Sequence, residues 1–397
     1  MQFSKRTSWN VEESALARAH RLRVRAGLPL ADLTASNPTR CGLEYPSELL
    51  AALVNACALD YDPQPRGLLP ARQAVCEYYA DHGVVVHPEQ LVLTTSTSEA
   101  YSYLFRLLCD PGSEILVPHP GYPLFDFLAD IDDVRVRYTP LVYDQGWQID
   151  PEAFRRAITP ATRAIVLVNP NNPTGHYTKL WEAQELAQIC RERDLSLIVD
   201  EVFLDYGFPS ESSDRVTSFA AGLADIPVFA VSGLSKIAAL PQMKAAWIVV
   251  TGPAAEPALA RLEVIADTFL SMNAPVQWAL PVWLQGRKSI QQQIRERLIS
   301  NLGELDGQLL QHETMRRLKI EGGWYAVLRI PAIQPDEATV RELLDQGVWV
   351  HPGYLFGMPE SGWLVVSLLG PPEEFGRGVA VLLDCLRRSN STTDVNK

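Results

Sequence analysis

Short, almost purely apolar runs, each followed by a polar loop, constrain this chain more than any other feature. They are 114–118 (EILVP), 164–168 (AIVLV), 195–200 (LSLIVD), 227–232 (PVFAVS) and 245–251 (AAWIVVT). A strand with one wet face alternates apolar and polar residues, whereas a strand covered on both faces does not. These runs therefore read as strands of a parallel sheet with helices on both faces. Helical periodicity fills the intervals at 47–60, 71–81 and 180–193. Between 84 and 112 the chain reads as strand, polar turn, helix and a stop at Pro111-Gly112. The alternation predicts an α/β fold with a mostly parallel central sheet and flanking helices.

After about residue 285 the texture changes. An amphipathic helix over roughly 287–318 is followed by WYAVLRI, a helix at 336–346, VWVHPG, WLVVSLL and a terminal helix near 373–388. This reads as a smaller α+β domain. Three parts are expected: 1–45 as an N-terminal arm and part of the small domain, 46–285 as the large domain, and 286–397 as the small C-terminal domain.

Lys plus Arg is 35 and Asp plus Glu is 47, for a net charge of −12. That excludes a general nucleic-acid binder, which needs a basic face, but permits a local cationic pocket. The six cysteines, at 41, 57, 76, 109, 190 and 385, form no C-x-x-C pair and no zinc spacing. No metal site is expected. No run reaches about 18 apolar residues, and the first twenty lack an apolar signal core. A cytoplasmic protein without a membrane partner is expected.

Four polar clusters follow predicted strands, where open α/β sheets bind their ligands. Thr95-Ser96-Thr97-Ser98-Glu99 opens a helix. Its plain reading is an N-cap; its chemical reading is a phosphate site. Asn169-Pro170-Asn171-Asn172-Pro173-Thr174-Gly175 is a turn, rigid and unusually polar. Asp200-Glu201 ends an apolar strand, where a buried carboxylate needs a cation. Its plain reading is a surface acid. Ser232-Gly233-Leu234-Ser235-Lys236, with Lys244 eight residues on, offers a lysine with a depressed pKa. Its plain reading is a solvated loop.

In this order the clusters resemble the fold type I pyridoxal-phosphate (PLP) enzymes, specifically the class I/II aminotransferases. The resemblance runs through ASNPTRCG, YDPQPRGLLPARQAVCEYY, LTTSTSEA, PHPGYPLF, NPNNPTG, VDEVFLDY and SGLSKIAALPQMK. Asn172, Asp200, Lys236 and Lys244 are spaced 28, 36 and 8 residues apart. The resemblance implies a PLP-transferase fold and pyridoxal 5'-phosphate as cofactor. It implies that Lys236 carries the cofactor as a Schiff base and shuttles the proton, and that Asp200 pairs with the ring nitrogen. Asn172 would meet the phenolic oxygen, beside Phe203, and Tyr122 would stack on the ring. Ser96, Thr97, Ser98, Ser232 and Ser235 would hold the phosphate, with Lys244 adding charge. Tyr61 would reach the phosphate of a second subunit, which implies a homodimer.

Three positions depart from the family pattern. Lys244 stands where Arg is usual, and Phe203 stands where Tyr is usual. Val365, in WLVVSLL, stands where an Arg usually forks the substrate α-carboxylate. Arg40 and Arg66 are the candidate replacements, with Asn37 beside them and Arg329 a poorer choice. Trp9, Trp324 and Tyr354 are candidates for an aromatic wall, with a core role open for Trp324.

The implied function is transamination between an amino donor and a 2-oxo acid acceptor. The alternative is another outcome on the same cofactor, as a lyase, decarboxylase, oxidase or carbon–carbon bond-forming enzyme. A PLP-binding regulator without turnover is the reading of a different class. The intact Lys236, Asp200 and Asn172 set speaks against it.

Overall fold

The computed structural model describes residues 2–209, 214–223 and 225–394. An eight-stranded sheet forms its centre. Across it run Leu91–Thr94, Ala246–Thr251, Val228–Gly233, Ser196–Asp200, Thr162–Val168, Glu114–His119, Arg135–Tyr143 and Trp147–Ile149. The five strands from Val228–Gly233 to Arg135–Tyr143 pair in parallel.

The apolar runs are covered on both faces, as their composition requires. Ile165 and Leu167 pack into one core with Leu116, Leu197 and Phe154. Val166 and Val168 pack into another with Val117, Ile198 and Phe229. Each such side chain contributes about 1.5–3 kcal/mol when fully buried.

One strand departs from the expected direction. Ala246–Thr251 is antiparallel to both neighbours, pairing Val228 with Thr251 and Leu91 with Val249. A parallel strand needs a long crossover to the far end of the sheet. Residues 234–245 hold only a four-residue helix and a 3-10 turn, so the chain returns directly. A wholly buried strand carries the same composition in either direction, so the pattern does not reveal it. Because of this reversal, Leu91–Thr94 ends on the same side as the parallel strands.

A four-stranded antiparallel sheet follows, in the order Arg316–Arg317, Tyr325–Arg329, Trp363–Ser367, His351–Pro352. The N-terminal segment joins it. Ala31 and Asp32 pair with Val348 and Trp349, and the Ser367 amide donates to the Leu33 carbonyl at 2.7 Å.

The helix expected at 287–318 spans Ala274–Leu309 instead. It contains two prolines. Pro275 lies in the first turn, where no amide partner is needed, and Pro281 lies inside. Asn273 caps it by accepting from the Val276 amide at 3.0 Å. Among the described residues no helix is long and apolar enough to cross a membrane.

Candidate active site

The strands Leu91–Thr94, Thr162–Val168, Ser196–Asp200 and Val228–Gly233 end at one side of the sheet. A cavity of about 260 Å³ opens there. Ser96, Thr97, Ser98, Tyr122, Asn172, Asp200, Phe203, Ser235, Lys236 and Lys244 all line it.

The helix Thr97–Leu108 points its N-terminus into this cavity. Ser96 caps it by accepting from the Glu99 amide at 3.2 Å, and Glu99 accepts in return from the Thr95 amide at 2.6 Å. Amides in a first helical turn have no intrahelical partner, so this end suits an anion. Ser235 and Lys244 face the same space. Lys244 sits at φ +53, a left-handed conformation that costs about 1–2 kcal/mol outside glycine.

Asp200 ends its strand at the cavity floor. Its Oδ1 accepts from the Val202 amide at 3.0 Å and its Oδ2 from the Tyr101 hydroxyl at 3.1 Å. Burial raises its pKa to about 6, against the Val202 amide, Tyr101 and Lys236, which lower it. Burial also pushes the Tyr101 phenol well above its ordinary value, with Asp200 adding to it. Tyr101 therefore keeps its proton and donates.

Lys236 rides on the short helix Leu234–Ile237. Gly233 precedes it because a Cβ there would press on the Ala245 carbonyl and Ala246. The Tyr206 hydroxyl donates to the Lys236 carbonyl at 2.5 Å. The side chain is half-buried and lines the cavity. Desolvation lowers its pKa to about 8, while Asp200 and Cys41 act to raise it. Its Nζ lies 4.7 Å from the Trp324 ring centre and 5.6 Å from that of Phe203.

The turn carrying Asn172 is tied on every side. The Asn169 amide donates to the Asp200 carbonyl at 2.8 Å, and Asn171 Nδ2 donates to the Pro120 carbonyl at 3.0 Å. Gly175 has φ +69, and a Cβ on it would strike the Gly322 carbonyl. Buried His176 contacts Glu182 at 2.9 Å, and Lys179 pairs with Glu321. Asn172 Oδ1, Asn169 Nδ2 and Ser232 Oγ are among the buried polar atoms that find no protein partner. Tyr122 completes the wall, its phenol pushed up to about 12 by burial first and Asp200 second.

Several expected residues lie elsewhere. Ser232 is fully buried just before the lysine and does not line the cavity. Asn37 accepts from the Thr39 amide and hydroxyl, capping the turn Pro38–Arg40. Arg40 is exposed on that turn. Arg66 needs correction as a substrate cation. Its Nε donates to Glu263 at 2.7 Å and its guanidinium to the Glu89 carbonyl, away from the cavity. Arg329 bonds the Ser361 carbonyl and stacks on Trp363. Val365 is fully buried in an apolar cluster with Val327, Phe356 and Met358. Trp324 is likewise fully buried, while Trp9 bonds Asp130 and Tyr354 stays exposed. Tyr61 is 84% exposed and lines a separate, larger cleft of about 470 Å³ that contains none of the residues around Lys236.

Sequence reading overlooked Tyr101, Tyr206 and Tyr325. Tyr101 follows Thr97 by one helical turn and so shares its face, which is the signal that could have found it. Tyr325 lines the cavity, with Ser36 acting to lower a phenol pKa that burial raises.

A family profile described as "Aminotransferase class I and II" matches residues 61–382. The chain is 26% identical over 330 residues to a glutamate-pyruvate aminotransferase of Haemophilus influenzae, covering 81% of each. It is 28% identical over 367 residues to an alanine aminotransferase of Mycobacterium tuberculosis, covering 86% of this chain and 82% of the relative. A solved alanine aminotransferase from Pyrococcus furiosus superposes with a TM-score of 0.87 at 24% identity, covering 98% of this chain and all of that one.

Proposed function

The chain belongs to the class I and II aminotransferases, enzymes that move an amino group between an amino acid and a 2-oxo acid on pyridoxal phosphate, and we propose that Lys236 is its covalent anchor and proton carrier. The observation that carries this is one cavity holding a lysine of lowered pKa, a buried carboxylate and a helix N-terminus.

The residues present fit the cofactor. Its phosphate suits the amides and hydroxyls of Ser96, Thr97 and Ser98, with Ser235 and the Lys244 charge. The unpartnered Asn172 amide oxygen, which lines the cavity, is a polar group that the protein leaves unsatisfied beside the phenolic end. Asp200 suits the ring nitrogen, and Tyr122 suits the ring face.

When bound, pyridoxal phosphate supplies the electron sink that takes the pair left by the broken α-C–H bond. Lys236 Nζ would take the proton from that carbon and deliver it to C4′ of the cofactor. A pKa near 8 leaves both its forms accessible close to neutrality. Asp200 holds a proton on the ring nitrogen, and Tyr101 and Val202 hold Asp200 in place. Tyr206 fixes the lysine backbone, so the amine swings about a set point.

Arg40 is the proposed partner of the substrate carboxylate. It is exposed, makes none of the ion pairs found among the described residues, and shares its segment with Ser36, which acts to lower the phenol pKa of cavity-lining Tyr325. The relatives' names favour alanine, glutamate and pyruvate as substrates. A homodimer is proposed because Val54, Leu59 and Tyr61 expose 87%, 90% and 84% of their surface on one segment. The proposed division is a large unit at 46–285 and a small one at 286–397 with the first 45 residues. The helix Ala274–Leu309 spans the join. Six free thiols support a cytoplasmic location.

The test is the absorbance of the holoenzyme mixed with single amino acids and no acceptor. Loss of the yellow band with one equivalent of oxo acid supports the reading. A persistent band with released ammonia, carbon dioxide or peroxide overturns it.

A further inference from the structure

Trp324 stands at the entry to the small-sheet strand Tyr325–Arg329 and is fully buried. Its ring meets Phe203 edge-on at 5.4 Å and Tyr206 at 5.2 Å. The Lys236 amine lies closer to this ring than to Phe203. The ring is held from both sides in the chain. The Gly323 amide donates to the Tyr206 carbonyl at 2.9 Å, and the Leu368 amide donates to the Trp324 carbonyl at 2.8 Å. A Cβ on Gly322 would press on the Tyr206 carbonyl and the Tyr177 ring, so this approach admits no side chain.

An amine that carries a proton must exist for a time as an ammonium, and a desolvated ammonium needs a counter-charge or a π face. The groups facing Lys236 are few. Asp200 comes from the central sheet and Cys41 from the N-terminal segment. Tyr122, Tyr325 and Lys244 share the cavity. Asp200 is committed to the ring nitrogen. Burial pushes the Cys41 thiol up to about 11, so it is neutral. Lys244 repels. The remaining support for the ammonium is aromatic.

Resting on the function proposed above, we propose that Trp324 is a positioning residue for Lys236. Its π face would receive the ammonium formed when the amine takes up the substrate's α-proton, and hold it until that proton is handed on. In this step the C–H bond breaks, the electron pair passes into the cofactor's electron sink and an N–H bond forms at Nζ. The N–H bond would then break as the proton is delivered to C4′ of the cofactor.

The test begins with the cofactor-free protein, so it does not depend on turnover. Lysines are reductively methylated with ¹³C and titrated by NMR, with the Lys236 line identified by its loss in Lys236→Ala. Trp324→Leu should lower the Lys236 midpoint by about one pH unit, Trp324→Phe by less, and Phe203→Leu by less than Trp324→Leu. If the leucine variant does not fold, Trp324→Phe carries the comparison. An unchanged midpoint, or an equal fall in Phe203→Leu, overturns the proposal. The holoenzyme half-reaction should then show its pH profile displaced downward with KM unchanged. A displaced midpoint with an unmoved profile also overturns it. A holoenzyme that converts no amino donor defeats the aminotransferase reading instead, and leaves the titration result standing.

Discussion

The two halves of the cavity are built differently. On the cofactor side, a capped helix end, a turn tied at several points, a strand-end carboxylate and a lysine converge with polar atoms left open. Where the proposed reading places the substrate carboxylate, position 365 is a valine sealed among Val327, Phe356 and Met358, outside the cavity lining. In the proposed reading the first half keeps the family's chemistry, while position 365 supplies packing and no cation. The contrast teaches that the reaction and the recognition of its substrate are separable layers, resting on different elements.

The sharpest break of that contrast is Lys236→Ala. It should cut turnover by about 10,000-fold or more, with single-turnover absorbance showing cofactor held but unreactive. Asp200→Asn comes next. It should lower kcat by about 1000-fold, the rate equivalent of roughly 4 kcal/mol lost on breaking a buried pair. Its effect on the cofactor-free protein has the opposite sign. The folded pKa of Asp200 is raised to about 6 from 3.8. Its ionisation therefore withdraws stability as pH rises through about 6 and costs nothing below the unfolded value. The variant should melt higher than the parent at pH 8, by up to about 3 kcal/mol, and no higher at pH 3. Equal melting temperatures at pH 8 would reject the buried, ionised carboxylate.

The substrate side has its own probe. Arg40→Ala should raise KM for the amino acid about 10–100-fold, the worth of a charge-assisted bond, and leave the cofactor Kd unchanged. Unaltered half-reaction kinetics would remove Arg40 from the site. The smallest effect belongs to Tyr101→Phe. Removing a donor to the ionised form should move the acid limb of the pH profile upward from about 6. The expected rate loss is at most about tenfold.

How far sequence reading reached follows the same division. The clusters at 95–99, 169–175, 200 and 232–236 are local objects, in which caps, Asn-Pro turns and strand-end positions carry the chemistry. Seven of the site residues expected within them, Ser96, Thr97, Ser98, Asn172, Asp200, Ser235 and Lys236, line one cavity. What stayed hidden depends on partners distant in sequence. Arg66 looked free until Glu263 came beside it. Tyr101 carries no local sign of the hydrogen bond it donates to Asp200, 99 residues away. The reversal of Ala246–Thr251 and the early start of the long helix at Ala274 are decided by neighbours, not by composition.

The crossing of Gly175 and Gly322 has one further consequence. The first belongs to the turn that carries Asn172, and the second leads into Trp324. At this point backbone touches backbone with no room for a methyl group. A side chain at Gly175 would displace the Gly322 carbonyl and with it the segment that leads into Trp324, so the ring-facing amide and the lysine-facing indole share one hinge pin.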